Sequence, residues 1–290
     1  MNRIVEKQFR GFMTEDGAGV KLVRVLGGET VRDFDPILML DSFDSTNPAD
    51  YTAGFPMHPH RGIETISYIV SGKMIHRDSL GNEDTITDGE VQWMIAGSGI
   101  LHEERIPASP RLLGVQLWLN LPAKNKMAAP AYHSVRYERI PEIPFDGGLI
   151  RVLSGQYKGV SGFRGEYLPF DYYDVFLQPE AKVSIETEMD RSVMAFSLLG
   201  NVMVSEMKIA EKTAVKLSKG SSVELQNGCS EAHVLLMSSK ALHESIAWGG
   251  PIVMNTKAEL QKAFDDLNNG TFVKKAIVYD DMSDTNRKEY

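Results

Sequence analysis

The chain has 290 residues, 42% hydrophobic and 24% charged, which is the composition of a globular protein with a sizeable core and length for one large or two ordinary domains. A formal net charge of −8, with no Lys/Arg run, argues against direct nucleic-acid binding and leaves a protein partner open. The single cysteine, Cys229, excludes an intrachain disulfide and reads as incidental. The charged stretch Met1–Arg10 lacks the apolar core of a signal peptide, and no run approaches the ~18 apolar residues of a membrane helix, so the cytoplasm is the expected setting.

In chain order, Val20–Leu26 reads as a strand ended by Gly27-Gly28, and Ile37–Leu40 as a short buried strand. Asp41 and Asp44 after it are candidate ligands by type, but turns and caps are the far commoner use of Asp and the preferred reading. The polar stretch 45–55 is a loop leading into His58-Pro59-His60. Residues two apart on an extended strand point the same way, so His58 and His60 can aim at one point. Pro59 cannot donate a ladder hydrogen bond, which places the pair at a strand start, an edge or a bulge. Ile63–Val70 and Lys73–Ser79 are further strands, punctuated at Gly72, Gly81-Asn82 and Asp88-Gly89. Glu64 shares the parity of His60 and is a ligand or a ring-orienting partner on that count. His76 is either such a partner or an ordinary strand histidine.

Gln92–Ile95 is followed by the glycine-bearing bend Ala96-Gly97-Ser98-Gly99, which delivers a second pair, His102 and Glu104. In a regular strand Glu104 points with His102 and Glu103 points away; a bulge reverses that choice. If the two segments face each other across a small barrel, three imidazoles and a carboxylate converge, a set that suits iron, nickel, copper or zinc. Gly114–Leu121 is a strongly apolar strand ending at Pro122, and 124–132 a loop or short helix. The Pro- and Gly-bearing stretch 140–148 marks a connector, so the division expected is 1–136 and 137–290.

The second half echoes the first. The run Phe196–Val202 parallels Ser67–Lys73 at an offset of 128 (Gly72 to Gly200), and Lys219–Val223 parallels Thr87–Val91 at 131 (Gly89 to Gly220). The 128 offset sets Glu186 and Glu188 where the first half has His58 and His60, so the second lobe reads as metal-free with solvated carboxylates. His233 fits a later strand, the counterpart of Val115–Leu119. Thr256–Leu267 has the N-cap and Glu259 of a capping box and an apolar stripe at Ala258, Leu260, Ala263, Phe264 and Leu267, the pattern of a short C-terminal helix packed on the body. The polar end, Asp281–Tyr290, is expected to fray.

Four stretches together resemble the pirin family, a bicupin branch of the cupins: Phe55–Thr65 with its His-Pro-His, Gln92–Glu104, Gln116–Pro122 and Gly250–Thr256. They span most of the chain. The resemblance implies an all-β protein of two antiparallel cupin barrels. It implies one metal in the N-terminal barrel only, held by His58, His60, His102 and Glu104, and it makes Glu64 a partner of the ligands rather than a ligand. Position 103 is often small in that family, and Glu103 adds a second carboxylate here. The expected ion is Fe(II), with Mn, Ni, Cu, Co and Zn compatible. The activity implied is that of a quercetin 2,3-dioxygenase, in which a flavonol and O2 react with Glu104 as proton acceptor, the heterocycle opening with loss of carbon monoxide. The alternative is a non-catalytic, metal- or redox-dependent regulator that binds a transcription factor or metabolic enzyme.

Overall fold

The computed structural model describes residues 1–274, so the expected fraying of Asp281–Tyr290 lies outside the described residues. The first half forms β1 (Val5–Arg10), β2 (Phe12–Asp16), β3 (Val20–Leu26), β4 (Ile37–Ser45), β5 (Phe55–His60), β6 (Ile63–Ser71), β7 (Met74–Asp78), β8 (Glu83–Ile86), β9 (Glu90–Ile95), β10 (Ile100–Arg105), β11 (Leu112–Asn120) and β12 (Ala131–Val135). The second forms β13 (Glu142–Phe145), β14 (Gly148–Ser154), β15 (Gln156–Tyr157), β16 (Val160–Ser161), β17 (Phe170–Leu177), β18 (Lys182–Glu186), β19 (Ser192–Leu199), β20 (Val202–Val204), β21 (Met207–Ile209), β22 (Thr213–Leu217), β23 (Ser222–Asn227) and β24 (Ala232–Ser239). A hairpin of β25 (Ala247–Gly249) and β26 (Ile252–Met254) and one helix, α1 (Lys257–Asn268), complete the described chain. Among the described residues no helix is long and apolar enough to cross a membrane.

The internal repeat is explicit in the sheets. The first lobe has a seven-stranded antiparallel sheet ordered β12-β9-β6-β11-β4-β3-β2 and a four-stranded one ordered β5-β10-β7-β8. The second has β1-β22-β19-β24-β17-β14-β13 and β18-β23-β20-β21, the same order position for position. The edge strands β12 and β1 are exchanged: each precedes one lobe in sequence and pairs in the other. Strand pairing therefore crosses the expected division at 136/137 at the start of the chain. Its first strand belongs to the second lobe's sheet, and its last described segment packs on the first lobe.

Period-two alternation explains the layers. One face of β6, β9 and β11 (Ile66, Tyr68, Trp93, Val115, Leu117, Leu119) meets the matching face of the second large sheet (Tyr172, Met194, Phe196, Leu235, Met237) in one apolar cluster between the lobes. The opposite face of each large sheet packs on its small sheet. In the second lobe that interior is apolar and mostly aliphatic, Val183, Ile185, Val202, Val223 and Leu225 meeting Val175, Val193 and Val215, with Tyr157 and Tyr173 in the same cluster. Glu186 and Glu188 are exposed at its rim. In the first lobe, apolar clusters fill only parts of the interior, and a polar band runs between them.

Two local expectations change. Asp41 and Asp44 are not turn caps, because β4 continues through both; paired with β3 and β11, they bond Arg24 and Arg111 respectively. The capping box of α1 forms as expected, with Thr256 accepting from the Glu259 N–H. Leu260, Ala263, Phe264 and Leu267 pack against Ile252, Met254 and Phe272, while Ala258 is exposed.

Candidate metal centre

Both histidine segments lie on adjacent strands of the first lobe's small sheet. In the β5–β10 register His102 stands opposite His58, and Ile100 opposite His60. A bulge follows between His102 and Glu104 on this side. On the other side β10 pairs regularly with β7: His102 with Asp78, Glu103 with Arg77, Glu104 with His76. Regular pairing on the β7 side preserves the alternation. Glu104 is thus inward and 1% exposed, while Glu103 faces out beside Arg77 and Arg105.

The ligand atoms of His58, His60 and His102 lie within 4.8 Å of one another. The Nδ1 of His58 is 2.8 Å from the Pro56 carbonyl and that of His60 is 2.9 Å from the Pro251 carbonyl. A carbonyl only accepts, so each Nδ1 carries the proton and each Nε2 presents a lone pair. Those two Nε2 atoms are 3.1 Å apart. Two lone pairs so placed repel unless a cation stands between them. His102 Nε2, fully buried, has no hydrogen-bond partner. Burial, with neighbouring His58, pushes the His60 pKa down to about 3; burial, with His60, His58 and His76 around it, also lowers that of His102. Both rings are therefore neutral at pH 7, the form that binds a metal. The donor set present fits a divalent first-row ion.

Behind His102, its Nδ1 is 3.4 Å from His76 Nδ1, and His76 Nε2 is 3.0 Å from Asp78 Oδ2. One proton order satisfies all three: His102 donates to His76, and His76 to Asp78. Burial opposes the Asp78 charge, but its bonds from His76 and Asn82 outweigh that and lower its pKa. Tyr132 stacks on His76 with ring centroids 4.3 Å apart.

Glu104 stands outside the three-nitrogen group. Its carboxylate accepts from Gln92 Nε2 at 2.7 Å and from Gln116 Nε2 at 3.0 and 2.8 Å. These amides belong to a polar rung across the inner face of the large sheet. Successive pairings align Ser134, Gln92, Ser67, Gln116, Asp41 and Arg24. The adjacent rung is Tyr132, Met94, Thr65, Trp118 and Met39. Trp118 meets His60 edge-on at 4.9 Å, and Trp248 packs on Trp118 at 5.7 Å.

Glu64 is elsewhere. The turn at Arg61-Gly62, with Gly62 at φ +79°, breaks the parity inherited from His60. Glu64 therefore shares the face of Ile66 and Tyr68 towards the second lobe, where it accepts from Trp93 Nε1 at 2.9 Å. Burial, with Glu166 nearby, raises its pKa to about 7. Gln92 and Gln116 went unread in the sequence, although each interrupts an apolar strand at an inward position. Asp78, Trp118 and the Pro251 carbonyl carried no sequence signal of their own.

Comparison with known proteins agrees with this architecture. The Pirin family model matches residues 19–119, and that of the Pirin C-terminal cupin domain matches 172–273. The chain is 40% identical over 274 residues to a pirin-like protein of Caulobacter vibrioides, covering 93% of this chain and 99% of that one. It is 34% identical to Pirin of Homo sapiens over 260 residues, 88% of each. The crystal structure of quercetin 2,3-dioxygenase from Acinetobacter baumannii superposes with a TM-score of 0.86 at 31% identity, covering 94% of this chain and 99% of that one.

Proposed function

This chain belongs to the pirin family, and from that premise we propose that it is a metal-dependent dioxygenase acting on flavonols such as quercetin. His58, His60, His102 and Glu104 are its ligands and Fe(II) its working ion. The observation that carries the reading is the three histidine ligand atoms converging inside one lobe, while the twin lobe has an apolar interior. Structural likeness to a quercetin 2,3-dioxygenase supports the substrate class. A bound ion of this kind supplies Lewis acidity and the route to O2 chemistry.

The remaining work falls to the chain. Glu104, inward and held by two amide donors, accepts the proton of the flavonol 3-hydroxyl. Gln92 and Gln116 fix which carboxylate lone pairs remain free. Trp118 beside His60 is buried, and the half-buried Trp248 packed on it offers an aromatic face for a flat ring system. Burial of His60, His102 and Glu104 keeps water from the reacting atoms.

The test is aerobic loss of flavonol absorbance with protein loaded with iron, manganese, nickel, copper, cobalt or zinc. Turnover that disappears in His60→Ala supports the reading. Absence of turnover with every ion, together with metal-dependent retention of a protein partner, replaces it with the regulator.

A further inference from the structure

The first lobe's candidate metal site is closed by a segment that follows the second lobe. After β24 the chain returns, and β26 meets the turn beside His60: Arg61 bridges Ile252, and Val253 N–H donates to the Arg61 carbonyl at 3.1 Å. Lys126 Nζ joins the Gly62 and Val253 carbonyls, each at 2.8 Å. Contact is close enough that a Cβ on Gly62 would sit 2.0 Å from the Val253 oxygen. Further along, Arg61 donates to Asp266 on α1 at 2.8 Å and to the Phe272 carbonyl at 3.0 Å, its guanidinium lying 4.2 Å over the Phe272 ring. Arg61 is 1% exposed and Asp266 6%. This is a buried ion pair 205 residues apart in sequence.

The three histidines differ in what fixes their outer nitrogen. His58 uses the Pro56 carbonyl of its own strand, and His102 uses His76 on the neighbouring strand. His60 alone takes its acceptor, Pro251, from the returning segment. The carbonyl that sets the His60 tautomer is therefore held by whatever docks residues 247–273.

We infer that this returning arm is a working part of the metal site, with Asp266 as a positioning residue that acts through Arg61 and the Pro251 carbonyl on His60. The inference rests on the reading of the three histidines as metal ligands. Loosening the latch frees the His60 ring to rotate or change tautomer, so metal binding weakens even where the fold survives. Outer partners of metal-bound histidines are worth about 10–100-fold in affinity.

The experiment is Co(II) titration of full-length protein, reading the dissociation constant and the visible ligand-field spectrum, alongside thermal unfolding of the metal-free form. Asp266→Asn keeps the volume and removes the charge. Tyr68→Phe, which faces the other lobe, controls for a comparable loss of stability, and His102→Ala tests the premise. Expected are a roughly 10-fold or greater loss of affinity and an altered spectrum in Asp266→Asn, with Tyr68→Phe binding as wild type. Should Asp266→Asn not fold, Phe272→Leu, which removes the ring beneath Arg61, is expected to show at least about a threefold loss, at the scale of a weakened outer partner. Wild-type affinity and spectrum in the folded latch variant, while His102→Ala loses binding, overturn the inference. Equal binding by wild type and His102→Ala overturns the metal reading instead.

Discussion

Gln116→Met is the sharpest probe of how Glu104 is held. The substitution keeps the volume of a buried inward side chain and deletes its amide. Gln116 Nε2 sits 2.8 and 3.0 Å from the two Glu104 oxygens, leaving Gln92 as the remaining amide donor after substitution. Hydrogen bonds to a charged acceptor contribute about 1.5–3 kcal/mol, so about 2 kcal/mol of carboxylate orientation is at stake. If that orientation serves metal binding, ~2 kcal/mol converts to roughly a 30-fold weaker dissociation constant. The metal-free protein should also unfold at a temperature lower by several degrees. Competition titration with a chelator of known affinity, on wild type and variant at one pH, reads the first number; calorimetry reads the second. Metal affinity within about threefold of wild type, with the variant folded, refutes the idea that Gln116 prepares Glu104 for the ion.

Other outcomes follow from named groups. Glu64 holds its proton more tightly in the folded protein, with a pKa of about 7 against an ordinary 4.5, so its share of stability is full below about 4.5 and lost as pH rises to about 7. Glu64→Gln should remove that slope, a difference of up to about 3 kcal/mol, offset by a constant cost for burying an amide N–H at the position of Glu64 Oε1, which has no hydrogen-bond partner. Denaturant midpoints from pH 4.5 to about 8 read it, and parallel wild-type and variant curves would contradict it. Tyr68→Phe removes a hydroxyl that donates to Asp174 at 2.7 Å and accepts from Arg151 at 2.8 Å between the lobes. A loss of about 2–3 kcal/mol in unfolding free energy is expected, since two buried charged groups each lose a partner; a loss under about 0.5 kcal/mol contradicts it. His76→Phe keeps the stack on Tyr132 and deletes the bond behind His102, so Co(II) affinity should drop about 10-fold while the metal-free fold persists. Unchanged affinity would show that His102 needs no support from that side.

The candidate centre was legible in the sequence because its key relation is local. Residues two apart on a strand share a face, and His58/His60 and His102/Glu104 both obey that. The adjacent carboxylates were separated by the same rule, and it survived a bulge because the ladder to β7 stayed in step. Parity failed for Glu64 because it does not cross a turn: Arg61-Gly62 resets it. Asp41 and Asp44 were misplaced because composition favours Asp in turns, whereas β4 extends through both residues and buries Asp41 against Arg24. The exchange of β1 and β12 and the return of residues 247–273 to the first lobe had no local signature. They are matters of which surface a segment docks on, and only long-range pairing settles that.

That exchange also bears on how a polar interior is tolerated at all. The first lobe buries Glu104, Gln92, Gln116, Asp41, His76 and Asp78 inside its barrel, groups that cost free energy wherever a partner is missing. The second lobe has the same strand order and fills the equivalent space mainly with valine, leucine and isoleucine, Tyr157 and Tyr173 joining them. Apolar burial scales at about 25 cal/mol per Å², so the aliphatic barrel and the apolar layer between the large sheets supply stability that the first lobe's own interior does not. Three segments carry it across: β1 anchors the chain's start in the aliphatic lobe, β12 ties the connector to the polar one, and the arm after β24 closes over the histidines. On this reading the duplication separates two demands that conflict within one barrel. One copy is packed for stability, and the other keeps a polar, histidine-bearing interior because it is braced from outside.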